Sequence, residues 1–106
     1  MAKYLVRITY TTLGVNILQK NKATGLRAAG TKAIEAAGGK VESYYFAFGP
    51  DDVVGIVDFP DNVAAASVSL AANSVGNVRF SLTPLMTAEE MDRALEKSGS
   101  IPVPGR

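Results

Sequence analysis

The hydrophobic pattern changes period several times along the chain, and each change predicts a new element. Residues 3–10 alternate strictly, with Tyr4, Val6, Ile8 and Tyr10 on one parity and Lys3, Leu5, Arg7 and Thr9 on the other. Such alternation predicts a half-buried strand. From Thr12 to Ala37 the apolar positions fall three or four apart: Leu13, Ile17 and Leu18, then Leu26, Ala29, Ala33, Ile34 and Ala37. That spacing predicts a helix, which the polar stretch Lys20 to Gly25 kinks or splits. Gly38-Gly39 ends it, because glycine enters the left-handed conformation of a helix C-terminus without a Cβ clash.

A second strand is predicted over Lys40 to Phe48, with Tyr44, Phe46 and Phe48 on one side and Val41, Ser43, Tyr45 and Ala47 on the other. Gly49-Pro50-Asp51-Asp52 has the composition of a turn and leads into a third strand, Val53 to Phe59, to make a hairpin. Pro60 stops that strand, and Asp61 is an N-cap for an Ala-rich helix over residues 62–75. A last strand is predicted from Asn77 to Leu85, with Pro84 marking either a sheet edge or the strand's end. Thr87 and Glu90 then form a capping box, flanked by Met86 and Met91 as a hydrophobic staple, so a short helix over about residues 88–97 is predicted.

The order β-α-β-β-α-β with an added helix is the split βαβ pattern of an α+β, ferredoxin-like domain. One such domain over residues 1–97, followed by a Pro- and Gly-containing tail over 98–106, accounts for the 106 residues. Both helices that cross the sheet cover the same face. The third strand is nevertheless apolar on both parities, as a strand is when neither face meets water. Its second face therefore needs a cover: a second copy of the sheet, a ligand, the tail or the chain's own last helix. A two-fold pairing of identical sheets is the simplest solution, since one patch serves both partners. A homodimer or higher homo-oligomer is expected.

Composition narrows the chemistry. Lys and Arg number 11 against 10 Asp and Glu, a net charge of +1, which gives no field for holding nucleic acid or an anionic membrane. The absence of Cys removes disulfides, thiolate nucleophiles and thiolate metal sites. The absence of His removes His-ligated zinc and haem and Ser-His triads. Glycines do not fall in a phosphate-binding spacing, and no cofactor is expected. The chain enters its first strand without an apolar leader and has no run of about 20 apolar residues, so a cytoplasmic location and no membrane association are expected.

Ordered short segments resemble the GYD-domain family, small bacterial proteins related in fold to the dimeric α/β barrels. They are Lys3-Tyr4-Leu5-Val6, Tyr10-Thr11 with Gly14, Glu35 to Lys40, the hairpin Gly49 to Asp52, Pro60-Asp61, Gly76 to Arg79, and Thr87 to Met91. In the segment that names the family, Gly and a variable residue precede Tyr and Asp. Here Asp51 stands in the aromatic position. The resemblance implies a dimeric α/β-barrel fold and an oligomer but no reaction, and fold alone does not fix function.

Arg7 and Arg79 occupy the polar parity of the first and last strands, which are neighbours in a ferredoxin-like sheet. With Tyr45 or Tyr44 on the hairpin they form a candidate site for a small anionic ligand between paired sheets. Alternatively the arginines pair with Asp58, Glu42 or a carboxylate of a second copy. Asp51, Asp52, Asp58 and Asp61 suit a hard cation, but their spacing matches no known loop, and turn formation and capping account for three of the four. The aromatic run Tyr44-Tyr45-Phe46 with Phe48 lacks the flanking pattern of an RNA-stacking sheet and reads as core or interface. No catalytic residue stands out. The leading expectation is a homo-oligomeric module that binds a small molecule, and the alternative is a cofactor-free monooxygenase or isomerase like those of related barrels.

Overall fold

The computed structural model describes residues 1–105. Strands β1 (Ala2–Tyr10), β2 (Lys40–Phe46), β3 (Val53–Phe59) and β4 (Val78–Pro84) form one antiparallel sheet in the order β2-β3-β1-β4. Helices α1 (Thr12–Ala36) and α2 (Asn62–Asn73) follow β1 and β3, and α3 (Ala88–Ser98) follows β4. This is the α+β, ferredoxin-like arrangement with a C-terminal helix that the periodicities predict.

The core lies between the sheet and α1 and α2. Tyr4, Val6 and Ile8 of β1 and Val53, Val57 and Phe59 of β3 are buried together with Ile34 of α1 and Ala65 and Val68 of α2. Tyr4 and Phe59 meet edge to face with ring centroids 5.6 Å apart, a geometry favoured by the ring quadrupoles. The Tyr4 hydroxyl donates to the Asn62 side chain at the start of α2.

Local signals set the element ends. The Thr11 hydroxyl caps α1 by accepting from the Gly14 N–H, and the Asp61 carboxylate caps α2 by accepting from the Ala64 N–H at 2.8 Å. Beyond α1, Gly38 at φ 82 turns the chain, and the Gly38 and Gly39 N–H groups bond the Glu35 and Ile34 carbonyls. These bonds make a Schellman motif, and only glycine takes that φ without strain. The capping box of α3 has both of its bonds, Thr87 N–H to Glu90 at 2.9 Å and Glu90 N–H to Thr87 at 3.1 Å. On the β4 side, the Asn73 side-chain amide donates to the Phe80 carbonyl at 2.9 Å and its oxygen accepts from the Phe80 N–H at 2.8 Å.

Three expectations change. β2 ends at Phe46, because the Ala47 N–H bonds the Asp52 carbonyl and closes the loop, leaving Phe48 fully exposed. A bulge at Glu42 lets Val41 pair with Val57 and Ser43 with Ile56. One extra residue reverses the parity, so Val41 packs on the core beside Tyr44 instead of facing away with Ser43 and Tyr45. Finally, every residue of α3 is exposed, so the chain's own last helix does not shield the second face of the sheet. No helix among the described residues is long and apolar enough to cross a membrane.

The polar stretch of α1 does break the helix. Lys22 has φ 65 and ψ 163, a conformation reserved almost entirely for glycine that costs about 1–3 kcal/mol elsewhere. Glycine relieves that strain but loses more entropy on folding. Lys22→Gly is therefore expected to stabilise the protein by about 1 kcal/mol, a rise of roughly 4–8 °C in Tm for a chain this size. A thermal melt that shows no gain would mean that the kink is not strained.

Candidate binding cavity

α1 packs chiefly over β2 and α2 over β4, the two edge strands, and the helices hardly meet over the centre of the sheet. Between them lies a cavity of about 590 Å³, with Val6, Ile8 and Val57 in its floor. Its walls are built from small side chains, Ala29 and Ala33 on α1 and Ala71 and Ala72 on α2. Larger residues at those positions would fill the space. The volume falls in the range of small-molecule sites.

None of the lining residues carries a formal charge. The polar features with the greatest reach are the phenols of Tyr10, at the end of β1, and Tyr44, on β2. Tyr44 faces this side through its pairing with Gly55 of β3, and its ring lies against Gly30 of α1. A Cβ at Gly30 would stand 3.4 Å from both the ring and its hydroxyl. Neither phenol hydroxyl hydrogen-bonds another described residue, and neither oxygen is sealed from solvent. Burial, reinforced by the neighbouring Tyr44 and Asp52, pushes Tyr10 up to about 12, and burial also raises Tyr44. Both groups stay protonated at neutral pH. They can donate a hydrogen bond to an acceptor on a bound molecule, but they cannot act as bases there.

On the opposite face the register brings Tyr45, Val54, Arg7 and Ser81 into one row across the four strands, with Arg79 opposite Thr9 in the next. Arg7 and Arg79 line a second, polar groove of about 510 Å³ with Asp51, Thr9 and Ser81. Tyr45 shares the face but not the groove, and it is 71% exposed. The Arg7 guanidinium pairs with Asp51 at 2.9 Å rather than with Asp58 or Glu42, which take Lys3 at 3.2 and 3.3 Å. Arg79 makes no ion pair among the described residues.

The four aspartates singled out in the sequence are all engaged. Asp51 holds Arg7, and Asp52 accepts from the Tyr10 N–H at 2.7 Å, so consecutive carboxylates tie the hairpin loop to β1. Asp58 pairs with Lys3, and Asp61 caps α2. The described residues hold no cluster of three or more groups suited to a metal.

That Tyr10 and Tyr44 line one cavity was not visible in the sequence, where they sit 34 positions apart on strands that are not adjacent. The run of small residues from Ala28 to Gly30, at a helix position that should have packed on the sheet, was the available signal. A model of the GYD domain matches residues 4–95 of the chain. Neither the comparison with curated proteins nor that with solved structures returned a match.

The raised Tyr10 has a consequence for stability at alkaline pH. Its folded pKa of about 12 lies above the ordinary value of 10.0. The unfolded chain therefore loses this proton first, and stability declines as pH rises from about 10 towards 12. Tyr44 acts in the same direction. Denaturant titrations across that window should show a shallower decline for Tyr10→Phe than for the parent chain. Identical slopes would place Tyr10 in water.

Proposed function

The chain belongs to the GYD domain family, and from that premise we propose a cytoplasmic, homo-oligomeric module that binds a small, uncharged, mostly apolar molecule between its sheet and helices. The observation that carries this reading is the 590 Å³ cavity with no charged lining residue and two protonated phenols. A charged ligand would have to leave its hydration shell without a counter-charge, at a cost that neutral ligands avoid. A carbonyl or ether oxygen could accept from Tyr10 or Tyr44, while the rest of the molecule meets alanine and valine side chains. In this proposal the ligand lies on the helix side, whereas the sequence pointed to the space between sheets and to Arg7, Tyr45 and Arg79.

Catalysis has less support. No carboxylate or amine lines the cavity, and a phenol near 12 is not a base at neutral pH. Self-association is supported by the second face of the sheet, where Leu5, Val54 and Ile56 lie at the centre, flanked by Tyr45, Arg7 and Lys3. An apolar centre with a polar border is the composition of a protein interface.

Binding can be tested with a neutral solvatochromic dye followed by displacement with uncharged aromatic compounds. Saturable binding at one site per chain is expected. Ala33→Phe, at an exposed position that projects into the cavity, should abolish it without loss of fold. Absent binding, or binding indifferent to Ala33→Phe, would overturn the reading. For the second face, Ile56→Asp should convert an oligomer into monomers in light scattering coupled to size exclusion, because a carboxylate would be desolvated at the interface. An unchanged mass would exclude pairing through this face.

A further inference from the structure

We propose that α3 of one copy seats in the groove between α1 and α2 of a second copy and closes the mouth of the cavity.

Among the described residues nothing covers the apolar side of α3. It has 11 residues and buries none of them, and isolated helices shorter than about 12–15 residues are marginal in water. Ala88, Met91, Ala94 and Leu95 fall on one half of its circumference, while Glu89, Glu90, Asp92, Arg93, Glu96 and Lys97 occupy the other. Met91 and Leu95, one turn apart, are 48% and 63% exposed. The capping box and the acidic first turn favour the helical state, so docking has less of it left to order.

The groove has complementary properties. Ala29, Ala33, Ala71 and Val75 line the cavity and are still exposed, which marks them as its mouth. α2 contains no charged residue, although Val63 and Leu70 on its outer side are exposed. A helix without charge on any side is built to be covered. α1, the other wall, carries Lys20, Lys22, Arg27 and Lys32 against the single acid Glu35. None of these cations is ion-paired among the described residues. Lys32 lies one turn from Ala29 and Ala36, both of which line the cavity. α3 brings four acids against two bases. Its apolar half fits the mouth, and Asp92, bordering that half beside Leu95, suits the basic wall.

A second copy is the occupant favoured by this charge match. The proposal goes beyond the binding reading and does not rest on it, because an empty cavity would have the same apolar mouth to cover. It also uses the opposite face from the paired sheets.

The chain contains no cysteine, so introduced thiols report cleanly. Ala71→Cys and Leu95→Cys both replace exposed residues. Full-length single variants should be mixed, oxidised mildly and resolved on a non-reducing gel with peptide mass spectrometry. A 71–95 heterodisulfide between chains, in several-fold excess over either homodisulfide, is the expected result. Raised salt or Lys32→Glu should slow its formation several-fold, since the attraction between the wall and α3 is screened or reversed. Linkage only within a chain of the double variant, homodisulfides alone, or trapping indifferent to both salt and Lys32→Glu would overturn the proposal. Dye binding by an unlinked protein would leave the binding reading standing while this one fell.

Discussion

The antiparallel pairing of β1 with β3 is the constraint on which the remaining structure depends. It brings the two most apolar strands to the centre of the sheet and puts Tyr4, Val6, Ile8, Val53, Val57 and Phe59 on one side. Each helix must return along that side to reach its next strand, and each is anchored over an outer strand. The centre of the sheet is left partly uncovered by the helix layer. The cavity is thus a product of topology and residue size together: the crossings set the span between helices, and alanines and Gly30 fail to fill it.

The break at Lys22 contributes to the same result. An unbroken α1 would present one straight ridge along the sheet. The kink separates a first segment, tied by Thr11 to the loop before β4 and brought close to Asn77 at Gly14, from a second segment that packs on β2. Ile17 and Leu26 line the cavity from either side of the break. The polar stretch Lys20 to Gly25 has no apolar side chain longer than alanine to hold it against the sheet, which is why the change of direction occurs there.

Much of this was legible in the sequence because it rests on short-range chemistry. Asp61 and Thr87 act within three residues of themselves, Gly38 acts on its own backbone, and strict alternation in β1 declares its buried face. The bulge at Glu42 was not legible, since it depends on how β2 meets β3 and leaves no mark in the period of β2 itself. Tyr44 consequently changed company, from Phe48 to Val41. The partners of Arg7 were equally hidden. Asp51 reaches it only because the hairpin loop folds back over β1, a long-range event that Asp52 secures. For the candidate site, Arg7 and Arg79 do meet in one groove as strand order required, whereas the cavity with Tyr10 and Tyr44 arose from the spacing of helices, which the sequence marks only by the small residues from Ala28 to Gly30.

Asn73 carries a consequence for how copies of this chain can meet. β4 is an outer strand, and such strands offer unpaired N–H and C=O groups to any extended segment nearby. At Phe80 both groups are already taken by the Asn73 amide, and Pro84 at the end of the strand has no N–H to give. Along this margin a foreign strand would find its ladder interrupted in the middle and closed at one end. The sheet is protected there against growing sideways into a fibre.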